Sequence, residues 1–362
     1  MAFVLSLDLP NDPRVLRAEV LGLTLPLRLA LTAQASGAAA IVAADPELAA
    51  SLRDPRLTIP VVAARPSGAF VFRAPANLVV HRGLLSAFKA RHGERDWDVA
   101  EEPFDHDVAY GFAPITVVDA ASRARARRAM LRSLRKPQDG PTSTHFNRYI
   151  SLFFTRFLVA LPLHPNHVSI GILFIGLAGA YLATYGTYWP LVAASVLYQT
   201  QSVLDGCDGE MSRLTFRGSR AGEWLDTIGD DLTNYGFFGC AAYGIYRVTA
   251  NPVYLGLGVS IVTCGVLVSA IEYRYLIKIG SGDLLKYPIG VGSTDKPGAE
   301  RTLFDRFIVP ISKRDTFVLL TVVFTLLGIL NVMLFVFAAG ALGILVTVLR
   351  AELRMAAERR AA

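Results

Sequence analysis

Residues 205–230 read DGCDGEMSRLTFRGSRAGEWLDTIGD, and they lie in sequence that is otherwise apolar enough to cross a membrane. Four carboxylates recur here at helical spacing. Asp205 and Asp208 are three residues apart, and Asp226 and Asp230 are four apart. Each pair therefore shares one face of its own helix. The stretch predicts two acidic helix faces on either side of a basic turn.

The carboxylates of this stretch require a positive partner. An ionisable group inside a membrane-spanning segment is costly, so it indicates function. Clustered oxygen ligands suit Mg²⁺, Mn²⁺ or Ca²⁺, and Mg²⁺ is usually held by a few carboxylates together with substrate phosphates. The alternative is a solvated acidic loop that caps helices at the membrane surface. Regular spacing on both sides of the turn Arg213–Arg220 favours the metal site.

The composition indicates a membrane protein with a separate soluble part. The chain has 362 residues, enough for two domains, and 52% of them are hydrophobic, concentrated after Phe153. Its formal charge is +6. Many basic residues lie in loops between apolar stretches, so membrane topology and phosphate-bearing substrates explain them better than nucleic acid does.

The cysteines argue against a disulfide-rich or zinc-binding protein, and the first residues argue against a secreted protein with a signal peptide. Cys207, Cys240 and Cys264 form no disulfide framework and no zinc spacing, and a buried thiol is the expected role of Cys207. The opening MAFVLSLDLPNDPR lacks the basic region, apolar core and cleavage site of a signal peptide. We expect this end of the protein in the cytosol.

Residues 1–135 predict a soluble α/β domain. Strand-like runs alternate with helix-like runs, as βαβ units around a largely parallel sheet do. The strand-like runs are Phe3–Leu7, Ala39–Ala43, Ile59–Ala63 and Asn77–Val80, and the clearest helices are Leu25–Ala35 and Pro46–Arg53. Asp105, His106 and Asp107 are interpreted as a solvated loop because no neighbouring metal ligand is identifiable.

The segment 22–44 resembles the helix-then-strand unit of sugar-type nucleotidyltransferases. Those enzymes carry a glycine-rich, basic loop after the first strand, where this chain has SLDLPNDPRVLR. A loop without glycine cannot bring several backbone N–H groups close to a triphosphate. We therefore expect a degenerate, non-catalytic domain; the alternative is an active cytidylyltransferase.

Two helices are predicted between this domain and the apolar half. Residues 122–136, SRARARRAMLRSLRK, form a basic helix that either lies along an anionic membrane surface or is a solvated linker. Residues 136–164 form a linker and a juxtamembrane amphipathic helix, because Arg148 and Arg156 interrupt an aromatic and aliphatic run.

Residues 165–362 predict six membrane spans, since about 20 apolar residues cross a hydrocarbon core. The spans are Asn166–Tyr185, Trp189–Ser212, Gly222–Tyr246, Val253–Ile277, Thr316–Leu330 and Val332–Arg350. Lys and Arg concentrate after spans two, four and six, whereas the opposite turns hold essentially none. The positive-inside rule thus predicts a multi-pass protein of the cell (inner) membrane, with both termini and the acidic cluster on the cytosolic side.

The acidic stretch resembles the signature of the CDP-alcohol phosphotransferase family. That signature is Asp-x2-Asp-Gly-x2-Ala-Arg-x8-Gly-x3-Asp-x3-Asp; its spacing matches at all eight specified positions and its residue identity at seven of them. Its positions here are Asp205, Asp208, Gly209, Ser212, Arg213, Gly222, Asp226 and Asp230, with Ser212 as the departure from alanine. The resemblance implies transfer of a phospho-alcohol group from a CDP-alcohol to an acceptor hydroxyl with release of CMP.

The resemblance also implies roles for the motif residues. Asp205, Asp208 and Asp226 are expected metal ligands for two Mg²⁺ or Mn²⁺ ions. Asp230 is expected both to reach the second metal and to act as general base. Gly209 and Gly222 would let the cytidine approach closely, although close helix packing is the other explanation. Arg213 would contact the diphosphate, unless its charge serves topology alone.

A closer resemblance is to the subgroup that joins a nucleotidyltransferase-like domain to this membrane domain, including inositol-phosphate cytidylyltransferase and di-myo-inositol phosphate phosphate synthase proteins. It rests on Thr142–Asn147 with Ser151, on Pro165-Asn166-x-x-Ser169 and on Lys313-Arg314-Asp315. The subgroup implies a phosphate-bearing acceptor and a homodimer. Candidates for the acceptor phosphate are Arg217, Arg274, Lys313 and Arg314. A non-catalytic metal-binding scaffold and a transporter are the competing classes.

Overall fold

The computed structural model describes residues 3–10, 12–93, 95–99, 112–135, 142–288 and 313–361. The chain forms two compact units. The first, here the α/β unit, comprises Met1–Pro137, Arg156–Pro162 and Ser212–Arg217. The second, the helical unit, comprises Gln138–Thr155, Leu163–Met211 and Gly218–Ala362.

A parallel sheet forms the centre of the α/β unit. The strands of this unit are β1 (Phe3–Asp8), β2 (Glu19–Val20), β3 (Leu23–Thr24), β4 (Ala38–Val42), β5 (Val61–Val62), β6 (Phe70–Pro75), β7 (Leu78–Val79), β8 (Trp97–Asp98) and β9 (Ile115–Thr116). Five of them pair in the order β5-β4-β1-β6-β8, with every neighbouring pair parallel. The expected α/β parallel-sheet fold is therefore confirmed.

Individual strands differ from the sequence predictions. The central strand β6 was not predicted, although it pairs with β1 along six residues from Phe3↔Phe70 to Asp8↔Pro75. The predicted strand Asn77–Val80 is only β7, and it pairs antiparallel with β9 outside the main sheet. Strand β7 has only two residues, because turn residues flank it.

Four helices belong to the α/β unit: α1 (Leu25–Ala35), α2 (Pro46–Ser51), α3 (Leu84–His92) and α4 (Ala120–Arg132). Helix α1 has the bounds predicted for it. Helix α4 is the predicted basic helix; Asp119 caps its start, and Ser122, Ala126 and Met130 are buried at helical spacing. One face of α4 thus packs inside the protein. The predicted loop Asp105–Asp107 lies outside the described residues.

The remaining helices are α5 (Arg148–Leu158), α6 (Pro165–Ala183), α7 (Tyr188–Leu204), α8 (Gly206–Thr215), α9 (Arg220–Thr249), α10 (Pro252–Ile279), α11 (Arg314–Leu326) and α12 (Leu330–Ala361). Helix α9 packs against α6 and α10, and α7 packs against α6 and α11. Tyr198, Phe237 and Phe238 lie fully buried in the shared core.

Three of the described helices are long and apolar enough to cross a membrane: Pro165–Ala183, Pro252–Ile279 and Leu330–Glu358. The other predicted spans differ from their helices. Predicted span Trp189–Ser212 is two helices, because α7 ends at Leu204 and α8 begins at Gly206. Helix α11 has 13 residues, short of the roughly 20 that a hydrocarbon core requires. The six-span topology stays a prediction.

Helix α5 covers the segment predicted as a juxtamembrane amphipathic helix. Phe153, Phe154 and Phe157 are exposed on it. Its buried residues are Arg148, Ser151, Leu152 and Thr155, so the face turned into the protein is largely polar. The exposed aromatic side chains are compatible with a membrane interface, and that placement also stays a prediction.

Candidate metal centre

Three of the four predicted carboxylates converge. Asp205 lies at the junction of α7 and α8, and Asp226 and Asp230 lie one turn apart on α9. One oxygen from each of the three carboxylates lies within 4.8 Å of the others. Ser219 begins α9 by accepting a hydrogen bond from the N–H of Gly222 at 3.0 Å, which fixes where the turns carrying Asp226 and Asp230 start.

The Arg314 side chain contacts this cluster. Its Nη1 lies 3.1 Å from Asp205 Oδ2 and 2.5 Å from Asp230 Oδ1. The guanidinium contacts two of these three mutually close carboxylates. Repulsion between such close charges is strong in a partly buried site, and a divalent cation would relieve it.

Two amides orient Arg314. Its Nη2 donates to Gln201 Oε1 at 2.9 Å, and its Nε donates to Asn234 Oδ1 at 3.3 Å. Tyr198 OH donates to the same Asn234 oxygen at 2.6 Å. No role was predicted from the sequence for Gln201 and Asn234. Helical spacing could have indicated both residues, because Gln201 is four residues before Asp205 and Asn234 is four residues after Asp230.

Asp208 lies apart from the three-carboxylate group. Its Oδ2 accepts a short hydrogen bond from Ser169 Oγ on α6, and its Oδ1 accepts from the N–H of Gly209. The side chain is buried, at 8% exposure. The structure therefore does not bring Asp208 into the cluster of the other three, and its role as a metal ligand stays a prediction.

The segment Pro165–Ser169 contributes twice to this region. Besides Ser169, its Asn166 packs against Gly222: a Cβ added to Gly222 would lie 2.9 Å from Asn166 Oδ1. The glycine at this position therefore permits a close approach between α6 and α9. Sequence analysis noted Asn166 and Ser169 only as marks of the subgroup, without a role.

A buried ion pair fixes α5 against α8. Arg148 Nη1 donates to Glu210 Oε1 at 2.6 Å, with side-chain exposures of 7% and 0%. Ser151 and Thr155 donate to the two oxygens of the same carboxylate at 2.8 and 2.6 Å. Glu210 is two residues after Asp208, so this network holds the first turns of the helix that carries Asp208.

The basic residues predicted to bind phosphate lie in different places. Arg314 contacts the carboxylate cluster, and Lys313 precedes it at the start of α11. Arg274 instead donates to Glu352 Oε2 at 2.9 Å. Arg213 and Arg217 belong to the segment of the α/β unit formed by Ser212–Arg217. Arg314 contacts two carboxylates of the cluster.

The three converging residues fit a divalent metal. Carboxylate oxygens are the ligands that Mg²⁺ and Mn²⁺ prefer. Asp230 Oδ1 is buried and accepts no hydrogen bond from the described residues, although Arg314 faces it as an ion pair. Three carboxylate oxygens this close together repel one another, and a bound divalent cation would offset that repulsion.

Comparison with known proteins identifies relatives of this chain. An Archaeoglobus fulgidus protein named bifunctional IPC transferase and DIPP synthase is 30% identical over 210 residues, covering 55% of this chain and 40% of the relative. Proteins of the same name from Thermococcus kodakarensis and Rubrobacter xylanophilus are 32% and 36% identical over 152 and 119 residues. These matches cover 33% of the Thermococcus kodakarensis protein and 27% of the Rubrobacter xylanophilus protein.

The chain therefore matches two fifths or less of the length of these curated relatives. No protein-family model matches it. The resemblance inferred from the motif and from the flanking segments is confirmed, because the chain is related to the bifunctional IPC transferase and DIPP synthase group.

Proposed function

We propose that this relative of the bifunctional IPC transferase and DIPP synthases is a membrane-embedded transferase. It moves a phospho-alcohol group, of phosphatidyl or inositol-phosphate type, from a CDP-alcohol to an acceptor hydroxyl and releases CMP. The observation that carries the proposal is the convergence of Asp205, Asp226 and Asp230. The names of the relatives support a transferase of the same class.

The transfer exchanges one bond to phosphorus for another. The acceptor oxygen attacks the phosphorus that bears the donor alcohol, the bond from that phosphorus to the CMP oxygen breaks, and CMP leaves with the electron pair. Asp230 accepts the proton of the acceptor hydroxyl. A carboxylate is a weak base at neutral pH, so this role requires close positioning of the hydroxyl.

Asp205, Asp226 and Asp230 would hold the divalent metal, with Asp208 and a second Mg²⁺ or Mn²⁺ ion completing the proposed site. When bound, such ions neutralise phosphate oxygens and the charge that develops on the leaving group. Gly209 and Gly222 leave space for the cytidine, and Arg213 binds the diphosphate. These assignments follow the motif that the chain shares with its family.

The acceptor is proposed to bear a phosphate. Arg314 and Lys313 at the start of α11 are the first candidates to bind it, and Arg217 and Arg274 are the others. Neutralising each residue in turn should raise the KM for the acceptor. A KM unchanged in all four variants would contradict a phosphate-bearing acceptor.

We further propose that the α/β unit has no cytidylyltransferase activity. The residues between β1 and β2 contain no glycine, and Pro13–Arg17 form a short 3₁₀ helix there. The word bifunctional in the relatives' names makes an active cytidylyltransferase the second candidate. CTP-dependent release of pyrophosphate by the purified protein would establish that second activity.

The membrane topology and assembly complete the proposal. The enzyme crosses the cell membrane six times as a homodimer, and its active site faces the cytosolic nucleotide pool. The three apolar helices support a membrane location. The lipid or soluble nature of the product depends on the donor, which the substrate panel below resolves.

Turnover of labelled CDP-alcohols tests the proposed reaction. Purified protein with Mg²⁺ and a panel of donors and acceptors should release CMP, and Asp230→Asn should lower the rate by about 100-fold or more while sparing donor binding. Asp231→Asn is the matched control, because Asp231 bonds to Ser269 and Tyr273 instead. No CMP from any pair would favour a scaffold or transporter, which would also tolerate loss of Gly209 and Arg213.

A further inference from the structure

A strongly basic cavity lies within the α/β unit, and none of the candidate metal-centre carboxylates is in its described lining. Its volume is about 180 Å³. Arg28, His81, Arg82, Arg135 and Arg213 line it, and its described lining contains no Asp or Glu. The residues come from α1, from the segment after β7, from the end of α4 and from the 212–217 segment. We call it the basic cavity.

Arg28 is a buried charge in this cavity. Its side chain is 2% exposed. Nη1 donates to Leu214 O at 2.9 Å, and Nη2 donates to the carbonyls of Val20 and Leu21 at 2.5 and 3.0 Å. No carboxylate is among its partners in the described part of the chain, and its Nε has no acceptor there.

Within the described residues, the Arg28 guanidinium is therefore compensated by carbonyl dipoles. Burial, together with the nearby charge of Arg56, lowers the pKa of Arg28 to about 9. A buried charge without a counter-ion is expensive, and a bound anion would offset that cost.

The other basic side chains surround the opening. Arg82 and Arg135 are exposed, whereas His81 and Arg213 are half-buried. His81 Nδ1 accepts from the N–H of Gly83 at 3.3 Å, which leaves Nε2–H as the donor of the neutral ring. The lining thus combines a buried guanidinium with further basic side chains that are more exposed.

The size of the basic cavity restricts the anion. About 180 Å³ corresponds to roughly six water molecules at ~30 Å³ each. Cavities for drug-sized ligands begin at about 300 Å³, so a volume of about 180 Å³ favours a small anion over a whole nucleotide. Guanidinium groups match the geometry of phosphate oxygens and bind them in bidentate pairs.

We propose that the basic cavity binds a small phosphate-bearing anion, either inorganic phosphate or the phosphate group of a short phosphomonoester. Arg28 holds it from below, and Arg82 and Arg135 close over it. Arg213 of the lining is also the residue proposed above to bind the diphosphate, whereas Arg28, Arg82 and Arg135 have no role in the proposed transfer reaction.

Calorimetric titration of the full-length protein in detergent with inorganic phosphate tests this site. Phosphate should bind, and the double variant Arg82→Gln/Arg135→Gln should weaken binding by at least about tenfold. Arg17→Gln is the matched control, since Arg17 is highly exposed and its contact is with Glu47. That variant should bind phosphate as the wild type does.

Two further titrations show where phosphate binds. Glycerol 3-phosphate should compete with phosphate, whereas CMP should not, because only the small ester fits. Arg314→Gln should retain binding in the basic cavity, which separates this site from a phosphate subsite beside the carboxylates. Absence of phosphate binding, or equal binding by the wild type and the Arg82→Gln/Arg135→Gln variant, would overturn the proposal whatever the outcome of the CMP assay.

Discussion

Arg314 shows how one residue connects the charges of the candidate metal centre. It contacts Asp205 and Asp230 and is held by two amides, so its position is fixed on several sides. It compensates part of the negative charge and leaves the remainder for a cation. The same guanidinium is the first candidate to bind the acceptor phosphate. Its substitution should therefore alter both stability and metal response.

Arg314→Gln should destabilise the protein most when divalent ions are absent. Three carboxylates would then repel one another, and the partly exposed pairs suggest a loss of about 1–2 kcal/mol, or a melting temperature lower by roughly 2–6 °C. Mg²⁺ should restore most of this loss. Melting temperatures in chelator and in Mg²⁺ provide the measurement, and Arg274→Gln, which pairs with Glu352, is the control. A loss that Mg²⁺ leaves unchanged would contradict the metal site.

Substitution of Gly222 tests whether the close approach between α6 and α9 is required for nucleotide binding. Alanine there would place a Cβ 2.9 Å from Asn166 Oδ1, so Asn166 must move. We expect Gly222→Ala to weaken CDP binding by about tenfold, equivalent to 1.4 kcal/mol. Equilibrium binding of labelled CDP measures it. Gly171→Ala on α6 is the control, because nothing lies within 4 Å of the added Cβ; equal affinities for the two variants would contradict the role of Gly222.

At the scale of elements, α8 depends on α5 for its position. Arg148, Ser151 and Thr155 place three donors on one face of α5, and all of them reach Glu210. The polar face of this helix is therefore turned into the protein, while its aromatic residues are exposed. Sequence periodicity identified an amphipathic helix. It did not identify the ion pair, since Glu210 occupies an unspecified position of the motif.

The substitution Glu210→Gln should weaken the interactions between the Glu210 side chain and its three donors on α5. Removing the Glu210 charge breaks its ion pair with the buried Arg148, and breaking such pairs typically costs about 3–5 kcal/mol. Denaturant unfolding in detergent measures the loss. Glu47→Gln is the control, because its pair with Arg17 has side-chain exposures of 62% and 87% and contributes little. Equal midpoints for the two variants would show that the α5–α8 network contributes little to stability.

The elements that sequence predicted well are those with local signals. Helix α1 was predicted residue for residue, because Pro26 lies in its first turn and Gly37 follows its end. Strand β6 was missed because parallel pairing with β1 depends on residues far away in sequence. The break of span two at Asp205 was also missed, since hydropathy alone cannot locate a junction between two helices.

At the scale of the whole molecule, sequence found the cluster and its chemistry. Asp205, Asp226 and Asp230 were predicted from spacing and motif, and the structure brings them together. Gln201, Asn234 and Ser169 were not assigned roles. Their contacts depend on how separate helices pack, which spacing within one helix does not define. The separation of Asp208 from the other carboxylates has the same origin.

Membrane sidedness can be tested across the whole chain. Six spans place the turn at Thr187 opposite the end of α12 at Glu358, and both residues are exposed. In sealed vesicles, a membrane-impermeant maleimide should label Thr187→Cys and Glu358→Cys from opposite sides, above the background of the native cysteines. Labelling of both from the same side would rule out the six-span arrangement.

The two compact units are built from segments that alternate along the chain, which limits how the protein can be divided into fragments. The α/β unit includes Arg156–Pro162 and Ser212–Arg217, which lie between segments of the helical unit. A fragment cut after residue 135 would lack both segments, and Arg28 would lose its Leu214 acceptor. Arg56 would lose the carbonyl of Thr215. Residues 1–135 are therefore not an exchangeable module: transplanting them onto another protein would also require the segments Arg156–Pro162 and Ser212–Arg217.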